Sequence, residues 1–214
     1  MRTTLQLFSL CLLAIAIPAW ANGGGGVSMP QPMPREQTPQ EKAREAYNDG
    51  VHYIKKADKA QGAANQAKAH DLYAKSLGKF EEAVKLDDTL AEAWNYVGYS
   101  NRKLGNYDAA LAAYEKALAL KPGYPDALEY RGEAYLGLNR VSDAQQAYLD
   151  LYAGNRQLAA KLLAAMKSWV AAQRASPSGG ASGLDDLNKW IQERTQIAGE
   201  TAALTREGAA ASWR

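Results

Sequence analysis

Few side chains in this sequence have the types and spacing that catalysis or metal binding requires. The sequence contains two histidines, His52 and His70, and one cysteine, Cys11. Asp49 and His52 are three residues apart, which places both on one face of a helix, so with His70 they could contribute to a metal site. We favour the interpretation that these are solvated polar side chains, and we assign no metal ligand.

Motifs for nucleophilic or phosphate chemistry are missing from the sequence as well. It has no arrangement of Ser, His and Asp typical of a catalytic triad, no cysteine nucleophile and no His-Glu-x-x-His motif. The glycine run 23–26 is not followed by the Lys-Ser/Thr of a phosphate-binding loop. The carboxylate pairs Glu81-Glu82 and Asp185-Asp186 are typical of solvated helix faces. The sequence therefore predicts a protein that is not an enzyme and has no cofactor.

The strongest pattern in the sequence is a repeat with a period of 34 residues. Seven positions recur at this offset: Trp94, Val97, Gly98, Leu104, Ala110, Tyr114 and Ala117 return as Leu128, Arg131, Gly132, Leu138, Ala144, Tyr148 and Leu151. A fixed offset over so many positions indicates a repeat architecture, in which each unit buries its apolar face against its neighbour. Such a protein usually works through a surface.

The residues of the first unit resemble the tetratricopeptide repeat family. The matching pattern is Trp94-x-x-Val97-Gly98, then Tyr107, Ala110, Tyr114, Ala117 and Pro122. The resemblance covers residues 91–124 and 125–158 well, and residues 43–90 loosely. It implies an all-α fold, a right-handed array of about three antiparallel helix pairs with a capping helix and an additional C-terminal helix. Asn101 replaces the usual aromatic residue, and Arg156 lies where the proline would recur.

Small residues mark where the two helices of each pair approach closely. We expect this approach at Gly98 and at Gly132, because only a small side chain fits there. We take Gly50 and Phe80 of the first pair to correspond to Gly98 and Tyr114 of the second. Gly50 and Phe80 are 30 positions apart and Gly98 and Tyr114 are 16 apart, so the first pair contains about fourteen extra residues. We predict that both helices of this hairpin are longer by about two turns, with a bend near residues 62–65. An unstructured insertion is the alternative.

The N-terminal segment is typical of a signal peptide rather than of part of the fold. A positive start at Arg2, an apolar stretch over residues 5–17 and the sequence Ala19-Trp20-Ala21 predict cleavage after Ala21. The alternative is an uncleaved anchor. The form of this segment favours a bacterial exported protein, most simply periplasmic, although a secreted eukaryotic protein fits too. Cleavage would remove Cys11 and lower the formal charge from +2 to +1, which gives no electrostatic footprint for nucleic acid.

Composition and capping signals divide the remaining chain. Residues 22–38 are Gly/Pro-rich and predict a disordered tether, residues 39–174 the helical domain, 175–183 a flexible linker, 184–206 a final helix and 207–214 a frayed tail. The sequences Thr38-Pro39-Gln40-Glu41 and Thr89-Leu90-Ala91-Glu92 predict capping boxes, and Asn106 predicts a cap. Residues 155–174 carry an apolar stripe that suits a helix covering the last repeat.

The resemblance also implies which residues line a concave groove. In this family the first helix of each pair faces the ligand, and carrying those positions over gives a set whose core is Arg44, Tyr47, Asn48, Asn95, Tyr96, Tyr99, Arg102, Glu129, Tyr130 and Glu133. Each tyrosine is either an exposed contact or a packing residue between helices. The groove is expected to be basic near Arg44 and Arg102 and acidic near Asp126, Glu129 and Glu133. The carboxylate clamp of some family members is rejected, because Asn95 and Tyr99 occupy the positions where the clamp requires Lys and Asn.

The sequence therefore predicts a protein–protein interaction module, an adaptor or scaffold of the bacterial cell envelope that binds a peptide or helix in its groove. Two alternatives stay open: self-association through the helix at 184–206, and an accessory subunit of an envelope or cell-wall enzyme. That final helix either folds back on the array, associates with another chain or lies on a membrane surface, and Trp190, Ile197 and Leu204 recur along it every seven residues. The identity of the partner is not encoded in any motif.

Overall fold

The computed structural model describes residues 35–176 and 183–211, with side chains described up to residue 204. These residues form eight helices and no strand: α1 (Pro39–Gly62), α2 (Gln66–Leu86), α3 (Ala91–Lys103), α4 (Tyr107–Leu120), α5 (Pro125–Gly137), α6 (Val141–Gly154), α7 (Arg156–Ala175) and α8 (Leu184–Ala211). The all-α prediction is confirmed. The predicted signal peptide and most of the predicted tether and linker lie outside the described residues. Among the helices of the described residues, none is long and apolar enough to cross a membrane.

The first helix pair is longer than the others, as the spacing of Gly50 and Phe80 predicts. Helices α1 and α2 have 24 and 21 residues, whereas α3 to α6 have 13 or 14 each. The extra residues are helical, so an unstructured insertion is wrong. A short turn follows Gly62, with Ala64 at a φ of 57°, and the side chain of Asn65 accepts the backbone N–H of Lys68 to cap α2.

Glycines allow the paired helices to approach closely in the first two pairs. A Cβ atom at Gly50 would lie 2.7 Å from the ring of Phe80, and one at Gly98 would lie 2.4 Å from the ring of Tyr114. Both rings are fully buried. Gly132 differs, because a Cβ atom there would meet Leu162 of α7 at 2.5 Å before it met its own pair. The absence of a side chain at Gly132 thus allows α7, rather than the other helix of its own pair, to pack closely against α5.

Three local predictions differ from the structure. The capping box at Thr38 is present, but Thr89 does not cap α3, because its N–H and hydroxyl both bond to Asp87. Asn106 precedes α4 without capping it, and its side-chain amide donates to Asn101 instead. Helix α8 continues to Ala211, beyond the predicted end at residue 206, because residues 209–211 are alanines, the strongest helix formers.

Helices α7 and α8 close the C-terminal end of the array. Leu162 and Met166 of α7 are fully buried, and Leu187 and Ile191 of α8 join the same core cluster. The ring of Trp190 packs edge-on against Tyr148 of α6 at 5.2 Å. Of the three arrangements expected for the final helix, folding back on the array is therefore confirmed for its first half.

Candidate functional site

The predicted groove contains a cavity between α1 and α3. Its volume is about 410 Å³, and it is lined by Gln40, Arg44, Tyr47, Asn48, Asp87, Leu90, Glu92 and Ala93. Three residues predicted from the sequence, Arg44, Tyr47 and Asn48, thus come together here. Arg44 and Asn48 are exposed, and Arg44 forms no ion pair with the described part of the chain. The cavity offers a cation, an amide and an aromatic face to a ligand. Its two carboxyl groups have partners in the protein: Glu92 is paired with Lys121 at 3.0 Å, and Asp87 accepts hydrogen bonds from Thr89.

Tyrosines continue from this cavity along the groove. Tyr47 packs edge-on against Tyr96 at 5.9 Å, and Tyr96 stacks on Phe80 at 4.9 Å. Tyr99 packs against Tyr130 at 5.0 Å. Tyr99 is only 9% exposed, whereas Tyr47, Tyr96 and Tyr130 are half-buried. The tyrosines therefore pack against one another, and three of them still present part of a ring to solvent.

The half-buried tyrosines stay neutral under ordinary conditions. Burial, and secondarily the neighbouring Tyr96 and Glu92, raise the pKa of Tyr47 to about 12. Burial also raises the pKa of Tyr96 and of Tyr130. Each hydroxyl can therefore donate a hydrogen bond to a ligand near neutral pH.

Cations alternate with tyrosine rings in the second half of the groove. Lys103 Nζ lies 5.5 Å from the ring centre of Tyr99, and Arg102 Cζ lies 5.2 Å from that same centre and 5.3 Å from the ring centre of Tyr130. Lys161 Nζ of α7 lies 5.2 Å from the ring centre of Tyr130. Burial and next the charge of Arg102 lower the pKa of Lys103. Such cation–π contacts hold the rings of Tyr99 and Tyr130 in place.

Two of the three carboxyl groups predicted at the acidic end of the groove, Glu129 and Glu133, are paired inside the protein, which corrects the predicted polarity at these two residues. Glu133 forms an ion pair with Arg102, and Glu129 is fully buried and paired with Lys161 at 3.0 Å. Burial raises the pKa of Glu129 well above the usual range of a carboxyl group, and the adjacent carboxyl group of Glu133 raises it further. Sequence reasoning missed Lys161, because it lies on α7, outside the three repeats.

Two of the predicted contact residues are not accessible. Asn95 is 2% exposed and Glu129 is 0% exposed, so neither side chain can touch a ligand in the groove. Both occupy the same position of their repeats, 34 residues apart, and the protein covers both side chains. Their predicted role as contacts is wrong, and Glu129 instead ties α5 to α7.

The extended first hairpin borders the far end of the groove. Asp58 Oδ1 accepts hydrogen bonds from the hydroxyls of Tyr73 at 2.6 Å and Tyr99 at 3.0 Å. Gln61 Oε1 accepts from Lys103 at 2.8 Å. The additional turns of α1 thus position the last turn of α3. Sequence spacing gives no signal for these contacts, because Asp58 and Tyr99 are 41 residues apart.

The described residues contain no group of three or more His, Cys, Asp or Glu side chains that could hold a metal ion. His52 contacts the ring of Tyr53 on its own helix at 6.2 Å. What the groove can do chemically is bind: it offers hydrogen bonds, aromatic faces and the exposed charge of Arg44.

Comparison with known proteins gives matches in sequence and in structure. Residues 91–124 match the family model for the tetratricopeptide repeat. The chain is 38% identical over 149 residues to the Hsp70-Hsp90 organizing protein of Triticum aestivum, covering 65% of this chain and 26% of that protein. It is 34% identical over 85 residues to the uncharacterized protein ycf37 of Guillardia theta, covering 37% of this chain and 48% of that protein. The chain thus spans less than half the length of either relative.

Solved structures give weaker matches. The first tetratricopeptide repeat domain of Spaghetti (RPAP3), bound to the HSP90 peptide SRMEEVD, gives a TM-score of 0.48 at 19% identity, over 61% of this chain and 95% of that chain. The MamA crystal structure gives a TM-score of 0.47 at 22% identity, over 79% of this chain and 99% of that chain.

Proposed function

Because this chain belongs to the tetratricopeptide repeat family, whose members are protein-interaction modules, we propose that it is a non-catalytic adaptor that binds a peptide or helix in its concave groove. The observation that carries this proposal is the cavity between α1 and α3, where Arg44 and Asn48 are exposed beside Tyr47. An exposed arginine beside a half-buried tyrosine ring is a combination typical of binding hot spots.

The geometry of the cavity defines the chemistry of the ligand. Arg44 favours an acidic side chain, because a guanidinium binds a carboxylate through two parallel hydrogen bonds. Asn48 can donate to and accept from an extended peptide backbone. The half-buried rings of Tyr47 and Tyr96 favour an apolar or aromatic side chain next to the acidic one. A carboxylate clamp is not part of the proposal, since Asn95 is buried where a clamp residue would have to reach the ligand.

We also propose that the protein works in the bacterial cell envelope after export. The support is the N-terminal sequence, with Arg2, the apolar stretch 5–17 and Ala19-Trp20-Ala21. Expression of the full chain with a C-terminal tag in a bacterium tests this. A mature N-terminus at Asn22 in the periplasmic fraction supports the proposal, and an uncleaved chain in the cytosol contradicts it.

The groove proposal is tested by crosslinking capture from envelope extract, followed by affinity measurement with the purified partner. The test variant combines Arg44→Glu and Asn48→Ala, both exposed, so the helices are expected to stay folded. The matched control is Lys116→Glu, an exposed residue of α4 with the same change of charge. A partner bound by the native chain and the control, but about tenfold more weakly by the test variant, supports binding at this cavity. Equal binding by all three contradicts it.

Self-association through α8 is a second candidate function. Ile197 is 40% exposed and Leu204 is 68% exposed, and they lie seven residues apart on this helix. Two large apolar side chains on one face favour a contact with another chain. Sedimentation velocity over a range of concentrations tests this: a dimer that disappears in the Ile197→Lys, Leu204→Lys variant supports it, and a monomer at every concentration excludes it.

A further inference from the structure

The outer groove between α7 and α8 is an apolar surface at the C-terminal end of the array. It has a volume of about 440 Å³ and lies at the edge of the cluster formed by Tyr148, Leu163 and Ile191. Its walls carry small side chains, Ala160 and Ala164 one turn apart on α7 and Ala198 on α8. The two alanines of α7 are exposed, and Ala198 is half-buried. We name this surface the terminal groove.

The preceding helix pair shows how the array fills a surface of this kind. Helix α7 lies on the pair α5/α6, where Leu162 projects against Gly132 and near Ala147. Leu162 and Ala147 are both almost completely buried there. Small residues on the receiving pair allow a leucine of the next helix to enter between its two helices. The pair α7/α8 presents small residues in the same way, but Ala160 and Ala164 stay exposed in the described part of the chain.

The charges beside the terminal groove have one sign. Arg156 and Lys167 line it, eleven residues apart on α7, which corresponds to about 16 Å at the rise of an α-helix. Neither forms an ion pair with the described residues; Arg156 lies over the ring of Tyr152 at 5.4 Å. The lining contains no acidic side chain among the residues that the structure describes. Two unpaired cations at this separation fit acidic residues on a helix about three turns apart.

We propose that the terminal groove docks an amphipathic helix of a partner protein, with an apolar stripe for the alanine walls and acidic residues about eleven positions apart for Arg156 and Lys167. The site continues the stacking order of the array and is separate from the concave groove. Alanine walls favour a helix over a bulky globular surface, because small side chains let a helix backbone come close. A second copy of this chain is the alternative occupant, and the dimer measurement below distinguishes it from a partner protein.

The test uses synthetic, hydrocarbon-stapled helical peptides whose binding to the mature chain is measured by fluorescence anisotropy. The probe peptide has leucines at heptad spacing and two glutamates eleven positions apart, and the control peptide has lysines in place of the glutamates. We expect saturable binding of the glutamate peptide and at least about tenfold weaker binding of the lysine peptide. The measurement is repeated in the Arg44→Glu, Asn48→Ala background, so that binding in the concave groove cannot account for the signal.

Two variants locate the binding. Ala164→Arg fills the terminal groove with a long cationic side chain, and its matched control is Ala112→Arg on the exposed face of α4. Ala164→Arg is expected to weaken binding at least about tenfold, and Ala112→Arg to leave it unchanged. The Arg156→Glu, Lys167→Glu variant is expected to reverse the preference between the two peptides. Unchanged helical circular dichroism shows that each variant is folded.

Three results would overturn the proposal. The first is no saturable binding of the glutamate peptide. The second is binding that Ala164→Arg leaves intact, because the peptide would then occupy another surface. The third is a concentration-dependent dimer that Ala164→Arg abolishes in the absence of any peptide binding, because the occupant would then be a second copy of this chain.

Discussion

Alanine substitution at Gly98 tests the packing rule on which the whole array depends. The new Cβ atom would lie 2.4 Å from Cε1 of Tyr114, a ring that is 0% exposed and so has no space to move into. Gly78 of α2 is the matched control, because it is also helical but exposed, and a Cβ atom added there would meet no atom within 4 Å. Both variants gain about 1 kcal/mol of helix propensity, so this contribution cancels in the comparison.

The expected difference between the two variants is the cost of overpacking alone. Such insertions cost about 1–3 kcal/mol in well-packed cores, and we expect the upper half of this range, because the ring must retreat by about 1 Å to reach an ordinary contact distance. Gly78→Ala is expected to be slightly more stable than the native chain. Gly98→Ala should be less stable than Gly78→Ala by about 2–3 kcal/mol, which lowers its relative Tm by about 5–10 °C.

Urea unfolding followed by helical circular dichroism measures this difference. The Tyr114→Leu background supplies a second comparison, because a smaller side chain opposite residue 98 should relieve most of the cost of the added methyl group. Equal stabilities of Gly98→Ala and Gly78→Ala would contradict this prediction, since they would show that the buried ring moves aside without cost. An equal cost of Gly98→Ala with and without the ring would refute the assignment to Tyr114.

Three further predictions concern single contacts. Burial raises the pKa of Glu129 from 4.5 to about 7, so the folded state keeps a proton there after the unfolded state has lost it. Stability should therefore fall as pH rises between about 4.5 and 7, and Glu129→Gln should flatten that fall in Tm. Asp58→Ala removes the acceptor of two tyrosine hydroxyls and should cost about 1–2 kcal/mol in urea unfolding, whereas Asp71→Ala breaks only an exposed ion pair with Lys75 and should leave the unfolding midpoint almost unchanged. Thr38→Ala should lower the free energy of unfolding by about 1 kcal/mol and speed amide hydrogen exchange in the first turn of α1. Thr89→Ala should leave exchange in the first turn of α3 unchanged, and faster exchange there would contradict the finding that Thr89 does not cap this helix.

Much of the fold follows from short-range patterns. The 34-residue period and the Gly98 and Tyr114 spacing predict helix pairs, and the separation of Gly50 and Phe80 predicts a longer first pair, as the structure has it. These predictions succeed because helix periodicity and close approach depend on residue types at fixed separations. Capping is predicted less well, because at Thr89 a competing acceptor, Asp87, lies two residues away.

The candidate site is predictable only in part. Arg44, Tyr47 and Asn48 do lie together beside one cavity. The family pattern gives the positions that face the groove, but it does not say how far each side chain is covered by its neighbours. The pattern therefore assigns Asn95 and Glu129 to the contact surface, although both are buried in the folded chain.

The order of helices and the positions where pairs approach closely can be predicted from the sequence, because each is encoded in residues that are near one another in the chain. The export signal is encoded in the same local way and stays a prediction. The electrostatics of the groove, in contrast, depend on contacts that form only in the folded chain. Lys161 lies 32 residues from Glu129, and Asp58 lies 41 residues from Tyr99, yet each pair is in direct contact. Whether a carboxylate is an exposed ligand contact or a buried structural group depends on such distant partners, since burial and neighbouring charges set its hydration and its pKa.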